Sequence, residues 1–483
     1  MSGEREQQKP LIRLFRSPRG YYFYDTNRNG VCPVDEAVYR ELEKVMDGTS
    51  AGRESEAVAR LKEEGWLSDH RPAEIRSIQT DLAETRLAHY VNQLSLQVTQ
   101  ACNLTCSYCP FALNTDPALS RHHTGKQMSW ETAKKAIDFL ADHSDGKEQV
   151  YVCFYGGEPL AAFDLVRRCV EYAEDVLDGK EILYLITTNA TLMTDEILDF
   201  LVRHDFFITF SLDGPKGIHD RHRRRADGTP TYDAVMENLK KAVAHFGNKP
   251  TAHVEVNMVL DPADDLDEIL AWLDEPVLKN TMVQAAVAED DNLEKKFRMT
   301  PDFRKKMVYQ TAMSWLDYLG LVDGLKTSEI TNWTVSRLAE TSADMMDGGG
   351  QLPDVIAPGG PCLSGFRKLF VNADGFFFPC EKVNELSPCM RIGDVDHGID
   401  IEQVKRQVNI GALTPEACGN CWAMLHCFLC QRQADGGGEL SGAVKNGHCG
   451  DVLDAVARTV EQGILQREIR TVYAGVKGVE DLT

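Results

Sequence analysis

Residues 102–109 read Cys102-Asn103-Leu104-Thr105-Cys106-Ser107-Tyr108-Cys109, three thiols with gaps of three and two residues. They follow directly on a strand-like apolar run from Leu94 to Thr99. Three thiolates can hold three irons of a four-iron cubane and leave the fourth open to an exchangeable ligand. A zinc site would ordinarily want a fourth Cys or His, and His122 and His123 are the candidates for that alternative.

Outward from this run, strands and helices alternate from about residue 92 to 290. Candidate strands run from Leu94 to Thr99, Val150 to Phe154, Ile182 to Thr187, Phe206 to Leu212, His253 to Leu260 and Met282 to Val287. Helices lie between them, one from Ser129 to His143 and one capped by Thr194 that runs from Asp195 to Arg203. Six such units predict an α/β fold, a partial (βα)6 barrel of the TIM type over 91–290, with the cysteines at its C-terminal mouth. Residues 301 to 345 read as helical, and a Gly-rich stretch from Asp347 to Pro361 closes a helical bridge over 291–360. A cysteine-rich domain over 361–450 and a terminal helix and tail over 451–483 complete the chain, the helix itself spanning Asp451 to Arg470.

Residues 1–90 read as a separate module. Two strand-like runs flank the turn sequence Ser17-Pro18-Arg19-Gly20, and two amphipathic helices follow, one with Val38, Leu42 and Val45 on a face and one with Val58 and Leu61 that stops at Gly65. The pattern predicts a winged helix-turn-helix. DNA is disfavoured as its partner, because phosphate binding is driven by Lys and Arg and the net charge is −22. No apolar run approaches a membrane span, and the charged start Met1–Pro10 lacks the apolar stretch of a secretory signal, so no membrane partner and a cytoplasmic location are expected.

The 14 cysteines are grouped: three in the first run and eight between 362 and 449. Tight groups in a chain read as cytosolic argue for metal rather than disulfides. Cys32, Cys153 and Cys169 sit in helix or strand patterns without partners and read as ordinary buried residues.

With Cys102, Cys106 and Cys109 after the first strand and Gly156-Gly157-Glu158-Pro159 after the second, residues 92–290 resemble the radical S-adenosylmethionine superfamily. The resemblance implies an iron-sulfur cluster whose open iron is chelated by S-adenosylmethionine, and reductive cleavage to a 5'-deoxyadenosyl radical that abstracts a substrate hydrogen. It implies that Tyr108 lies against the adenine and that the Gly156, Gly157, Glu158 segment hydrogen-bonds the cofactor's ammonium. Asn189, Ser211 and Arg223 would contact its ribose and carboxylate, although Arg223 stands among Arg221, Arg224 and Arg225 and reads equally as a surface residue.

The second group resembles the SPASM extension of peptide-modifying enzymes. Cys362, twelve residues, Gly375, four residues and Cys380 are followed by Cys418, Cys421, Cys427, Cys430 and Cys449. The family pattern has three residues between its last central pair, where this chain has two between Cys427 and Cys430. The resemblance implies an outer cluster fully held by Cys418, Cys421, Cys427 and Cys449, and an inner one held by Cys362, Cys380 and Cys430. With the radical cluster, that makes three four-iron (4Fe-4S) clusters in all. Cys389 either closes the inner site or is free, and an iron left open could bind a substrate thiolate. Two zinc ribbons are the alternative for these cysteines. Glu381, next to Cys380, is the candidate proton acceptor, with a plain surface carboxylate as its alternative.

Together these features resemble maturases of ribosomally made peptides, whose first domain pairs a leader peptide to a sheet edge. The resemblance implies a Cys-containing precursor peptide as substrate and a reductant such as flavodoxin or ferredoxin. It points to a thioether between a cysteine sulfur and a carbon of an acceptor residue, with an auxiliary cluster taking the surplus electron. Carbon-carbon crosslinking, formylglycine formation in a sulfatase, and a non-catalytic metal-bound peptide scaffold are the alternatives.

Overall fold

In the computed structural model the described residues are 9–49, 54–114, 116, 120–247, 253–288, 296–322 and 324–473. The charged start before Lys9 and the tail after Tyr473 lie outside them. Strands β1 (Ile12–Arg16), β2 (Tyr21–Asp25) and β3 (Gly30–Val34) form an antiparallel sheet in that order. The Ser17–Gly20 turn closes through Ser17 N–H donating to the Gly20 carbonyl at 3.0 Å and Gly20 N–H to Ser17 Oγ at 2.9 Å. β3 was not among the expected strands. It carries Pro33, which removes a ladder donor and is tolerated because β3 is an edge.

Two helices follow, Glu36–Asp47 and Glu56–Glu63, the second capped by Ser55 Oγ, which accepts from Val58 N–H at 3.3 Å. The alternation of the strands splits their side chains between two cores. Ile12 and Phe23 pack with Val38, Leu42 and Val58, whereas Phe15, Tyr24 and Val31 pack with Met345, Met346, Val452 and Val456. The small sheet is therefore held between its own helices and the C-terminal helix. Its continuation is also docked: β4 (Glu74–Ile75) pairs in parallel with a distant strand described below, and Ala83 and Leu87 enter the main core.

The expected strands all form: β5 (Gln93–Thr99), β6 (Gln149–Gly156), β7 (Glu181–Thr188), β8 (Phe207–Ser211), β9 (Val254–Leu260) and β10 (Met282–Val287). They lie side by side and parallel, as crossover helices require. Leu94, Leu96 and Val98 on one face of β5 have no exposed surface, and Ser95, Gln97 and Thr99 on the other are buried too, the pattern of a strand covered on both faces. The helix Trp130–Asp142 starts at the Ser129 cap and Asp195–Arg203 at the Thr194 cap, each cap oxygen accepting the backbone N–H of the third residue of its helix.

The strand β11 (Val355–Ile356) is the partner of β4. Beyond it the cysteine-rich region does not stand apart from the barrel. β12 (Leu369–Val371) pairs in parallel with β5, and β13 (Phe376–Phe378), β14 (Gly393–Asp394) and β15 (Gly398–Ile399) continue antiparallel, giving one sheet of ten strands. Three-residue strands carry too little periodicity to be read from sequence. Their consequence is positional: the segment after β13 is delivered to the mouth beside β5. Helices Pro301–Tyr318 and Glu329–Asp344 fill the bridge, and Cys449–Tyr473 is the terminal helix. Among the described residues no helix is long and apolar enough to cross a membrane.

Candidate functional site

The loop that follows β5 is tied down between its cysteines. Thr105 N–H donates to the Arg224 carbonyl at 2.8 Å and Ser107 N–H to that of His222 at 2.9 Å. His222 is itself held, with Nδ1 at 2.7 Å from Ser107 Oγ and Nε2 at 2.8 Å from Asp264. Burial pushes the Cys102 thiol up to about 12, Cys106 to about 11, and Cys109 upward as well. Such thiols keep their protons unless a metal replaces them. His123 Nε2 lies 3.5 Å from Cys109 Sγ while its Nδ1 faces the Gln100 carbonyl at 3.0 Å; His122 is exposed.

Gly156 and Gly157 end β6 against this loop. Gly157 N–H donates to the Thr99 carbonyl at 2.9 Å and Glu158 N–H to that of Ala101 at 2.8 Å. Gly156 has φ of 152°, and a Cβ on Gly157 would stand 2.2 Å from the Ala101 carbonyl oxygen, so only glycine lets the two backbones approach. The Glu158 carboxylate is fully engaged inside the protein: it accepts from Leu160 N–H at 3.0 Å, Thr188 Oγ1 at 2.6 Å and Asn189 N–H at 2.7 Å. Burial nevertheless raises it to about 7. Glu158 thereby joins the ends of β6 and β7 and positions Asn189, whose Nδ2 donates to Asn103 Oδ1 at 2.9 Å and lies 3.9 Å from Cys102 Sγ.

Arg223 is buried, which removes the surface reading. Its Nε donates to Asp213 Oδ2 at 2.7 Å and Nη2 to Oδ1 at 3.2 Å, and its guanidinium lies 5.3 Å from the centre of the Tyr108 ring. Tyr108 donates its hydroxyl to the same Asp213 carboxylate. Burial alone would raise Asp213, but the Arg223 charge holds it below its ordinary value. Asp213 was missed in the sequence, although it stands two residues past Ser211 in the Ser-Leu-Asp-Gly segment.

One cavity of about 480 Å³ is lined by Cys102, Cys106, Tyr108, Cys109, Gly156, Gly157, Glu158, Asn189, Ser211 and Arg223, and by Glu381 from the cysteine-rich region. Glu381 is held by Lys368 Nζ at 3.0 and 3.1 Å. Two further lining residues, Arg121 and Glu385, were not foreseen and form a buried ion pair at 2.7 Å.

Seven of the remaining cysteines fall into two further groups. Cys362 and Cys430 lie near enough to Cys380 for their charge to raise its pKa. Cys389 packs in the same apolar cluster as Cys380, with Sγ 3.3 Å from both Ser387 Oγ and Asp435 Oδ1. Cys418, Cys421, Cys427 and Cys449 line a second cavity of about 390 Å³. Among the described residues no three His, Cys, Asp or Glu side chains converge tightly enough to bind a single ion. Thiols spaced around a cavity fit a multi-atom cluster, whose irons each take their own sulfur. Of the sequence-designated buried cysteines, Cys153 and Cys169 are buried and Cys32 is partly so.

Residues 96–275, which hold the parallel strands and the mouth they build, match the model of the Radical SAM superfamily. The chain is similar to the serine-type anaerobic sulfatase-maturating enzyme of Bacteroides thetaiotaomicron, 30% identical over 31% of this chain and 35% of that one. It is similar to the radical SAM cyclopropyl synthase TigE of Paramaledivibacter caminithermalis, 22% identical over 47% of this chain and 50% of that one. The alignments thus span a third to a half of the length of these curated relatives. In fold it matches the solved structure of native anSMEcpe with bound AdoMet and Kp18Cys peptide, with a TM-score of 0.55, 19% identity, and coverage of 77% of this chain and 99% of that one.

Proposed function

We propose that this protein is a radical S-adenosylmethionine maturase that modifies a ribosomally made, Cys-containing peptide, joining a cysteine sulfur to a carbon of an acceptor residue. The observation that carries the reading is the shared cavity, where the three-cysteine loop, the Gly156–Gly157 approach and Glu381 from the cysteine-rich region face one space. When bound, a four-iron cluster and S-adenosylmethionine supply the one-electron chemistry that removes a hydrogen from a substrate carbon. Cys102, Cys106 and Cys109 would hold that cluster. Gly156 and Gly157 would let backbone reach the cofactor, Tyr108 would lie at its adenine, and Asn189, Ser211 and Arg223 at its ribose and carboxylate. Glu381, fixed by Lys368, would accept a proton from the substrate. Overall, one C–H and one S–H bond would give way to a C–S bond, the carbon's hydrogen atom leaving with the 5'-deoxyadenosyl group, the sulfur's proton with Glu381 and the one surplus electron with an auxiliary cluster.

Cys362, Cys380 and Cys430 would hold the inner auxiliary cluster and Cys418, Cys421, Cys427 and Cys449 the outer. A flavodoxin- or ferredoxin-type protein would deliver electrons. The leader of the peptide would bind the N-terminal module, where a cavity of about 1020 Å³ is lined by Leu42, Val45, Val58 and Trp66.

The test is anaerobic reconstitution with iron counting, followed by dithionite, S-adenosylmethionine and a Cys-rich precursor peptide. About eight to twelve irons, 5'-deoxyadenosine from wild type but not from Cys102→Ala, and a peptide lighter by two hydrogens are expected. Zinc in place of iron would instead favour the scaffold. The similarity to sulfatase-maturating enzymes supports a second reading, formylglycine formation. That reading predicts an aldehyde in a sulfatase-derived peptide that carries no leader.

A further inference from the structure

Lysine is almost never fully buried without a partner for its charge. Lys445 is 3% exposed. An ammonium has three N–H donors, and three acceptors surround this one: Thr414 Oγ1 at 2.6 Å, Asn446 Oδ1 at 3.1 Å and Cys418 Sγ at 3.4 Å. None of the three is a carboxylate. Thr414 Oγ1, which takes a Lys445 hydrogen, lies 3.7 Å from Cys418 Sγ and can pass its own hydroxyl hydrogen to that sulfur. Two donors thus converge on Cys418. Lys445 also lines the cavity shared by Cys418, Cys421, Cys427 and Cys449. The missing counter-charge therefore belongs to whatever those four sulfurs hold.

We propose that Lys445 is the built-in counter-ion of the outer auxiliary cluster and, with Thr414, sets its reduction potential through Cys418. This rests on the ligand assignment proposed above. A four-iron cluster held by four thiolates is anionic and gains a further negative charge on reduction, so a fixed ammonium at one ligand favours the reduced state. Hydrogen bonds to sulfur act in the same direction. Lys445 is thus a positioning residue that makes the outer cluster a better electron acceptor.

The experiment uses the reconstituted full chain with Cys102, Cys106 and Cys109 changed to Ala, so that only auxiliary clusters report in a potentiometric EPR titration. Lys445→Met should keep the iron content and lower the reduced-to-oxidised ratio of one auxiliary signal about tenfold at fixed potential, a 59 mV shift for a one-electron couple. Lys445→Arg should restore most of it. Full iron content with an unmoved midpoint in Lys445→Met would overturn the assignment. If Met at this position sheds the cluster, Thr414→Val decides, since it loosens the ammonium without removing it. A lowered midpoint supports the role and a wild-type midpoint rejects it. Failure of the parent chain to bind iron would instead count against the cluster reading itself, whatever Lys445 does.

Discussion

Arg121 and Glu385 form a 2.7 Å ion pair whose side chains are only 5% and 4% exposed, joining the segment after Cys102, Cys106 and Cys109 to the segment after Glu381. Gln97 on β5 donates to the same Glu385 oxygen at 2.7 Å and accepts from Ala373 N–H at 3.1 Å. Breaking one member of a buried pair strands the other charge. Glu385→Gln or Arg121→Met should therefore destabilise the protein by about 3–5 kcal/mol, and Arg121→Met with Glu385→Leu should recover most of that. Urea unfolding of the four proteins measures the coupling, and additive losses would rule it out.

Asp213 carries both Arg223 and Tyr108. Asp213→Asn should cost about 3 kcal/mol and weaken S-adenosylmethionine binding at least about tenfold, because the guanidinium loses its anchor. Equilibrium dialysis with labelled cofactor reads the second effect. Affinity equal to wild type would show that Arg223 takes no part in holding the ligand.

The close approach of Gly157 to Ala101 gives a steric prediction. Gly157→Ala places a methyl 2.2 Å from a carbonyl oxygen and should cost roughly 2–3 kcal/mol and abolish 5'-deoxyadenosine formation. Gly125→Ala, with nothing within 4 Å, should be neutral in both assays.

Burial raises Glu158 to about 7 from 4.5. A carboxylate raised on folding stabilises the protein while protonated, so its contribution is present below the ordinary carboxylate range and is lost as pH climbs through about 7. In the metal-free protein, wild type should lose on the order of 3 kcal/mol relative to Glu158→Gln over that interval. Parallel stability curves for the two proteins would refute the shift.

Cys389 packs in the same apolar cluster as Cys380, but its sulfur is hydrogen-bonded to Asp435 and Ser387. Cys389→Ala should therefore leave the iron content unchanged. A loss of about four irons would make Cys389 a ligand of the inner cluster.

The sequence by itself determined whatever a single element encodes. Each barrel strand declares itself through apolar residues over six or so positions, the caps at Ser129 and Thr194 through their side-chain oxygens, and the first cysteine group through three thiols in one loop. Position within an element transmits directly to geometry, because strand and helix periods are constant. What only the tertiary structure decided lies between elements far apart in the chain: β12 adding to β5, Arg121 meeting Glu385, Asp213 tying Arg223 to Tyr108, and Lys445 reaching Cys418. Strands of two or three residues carry no readable period. A buried ion pair or a lone buried lysine looks in sequence like any surface charge until packing excludes water from it.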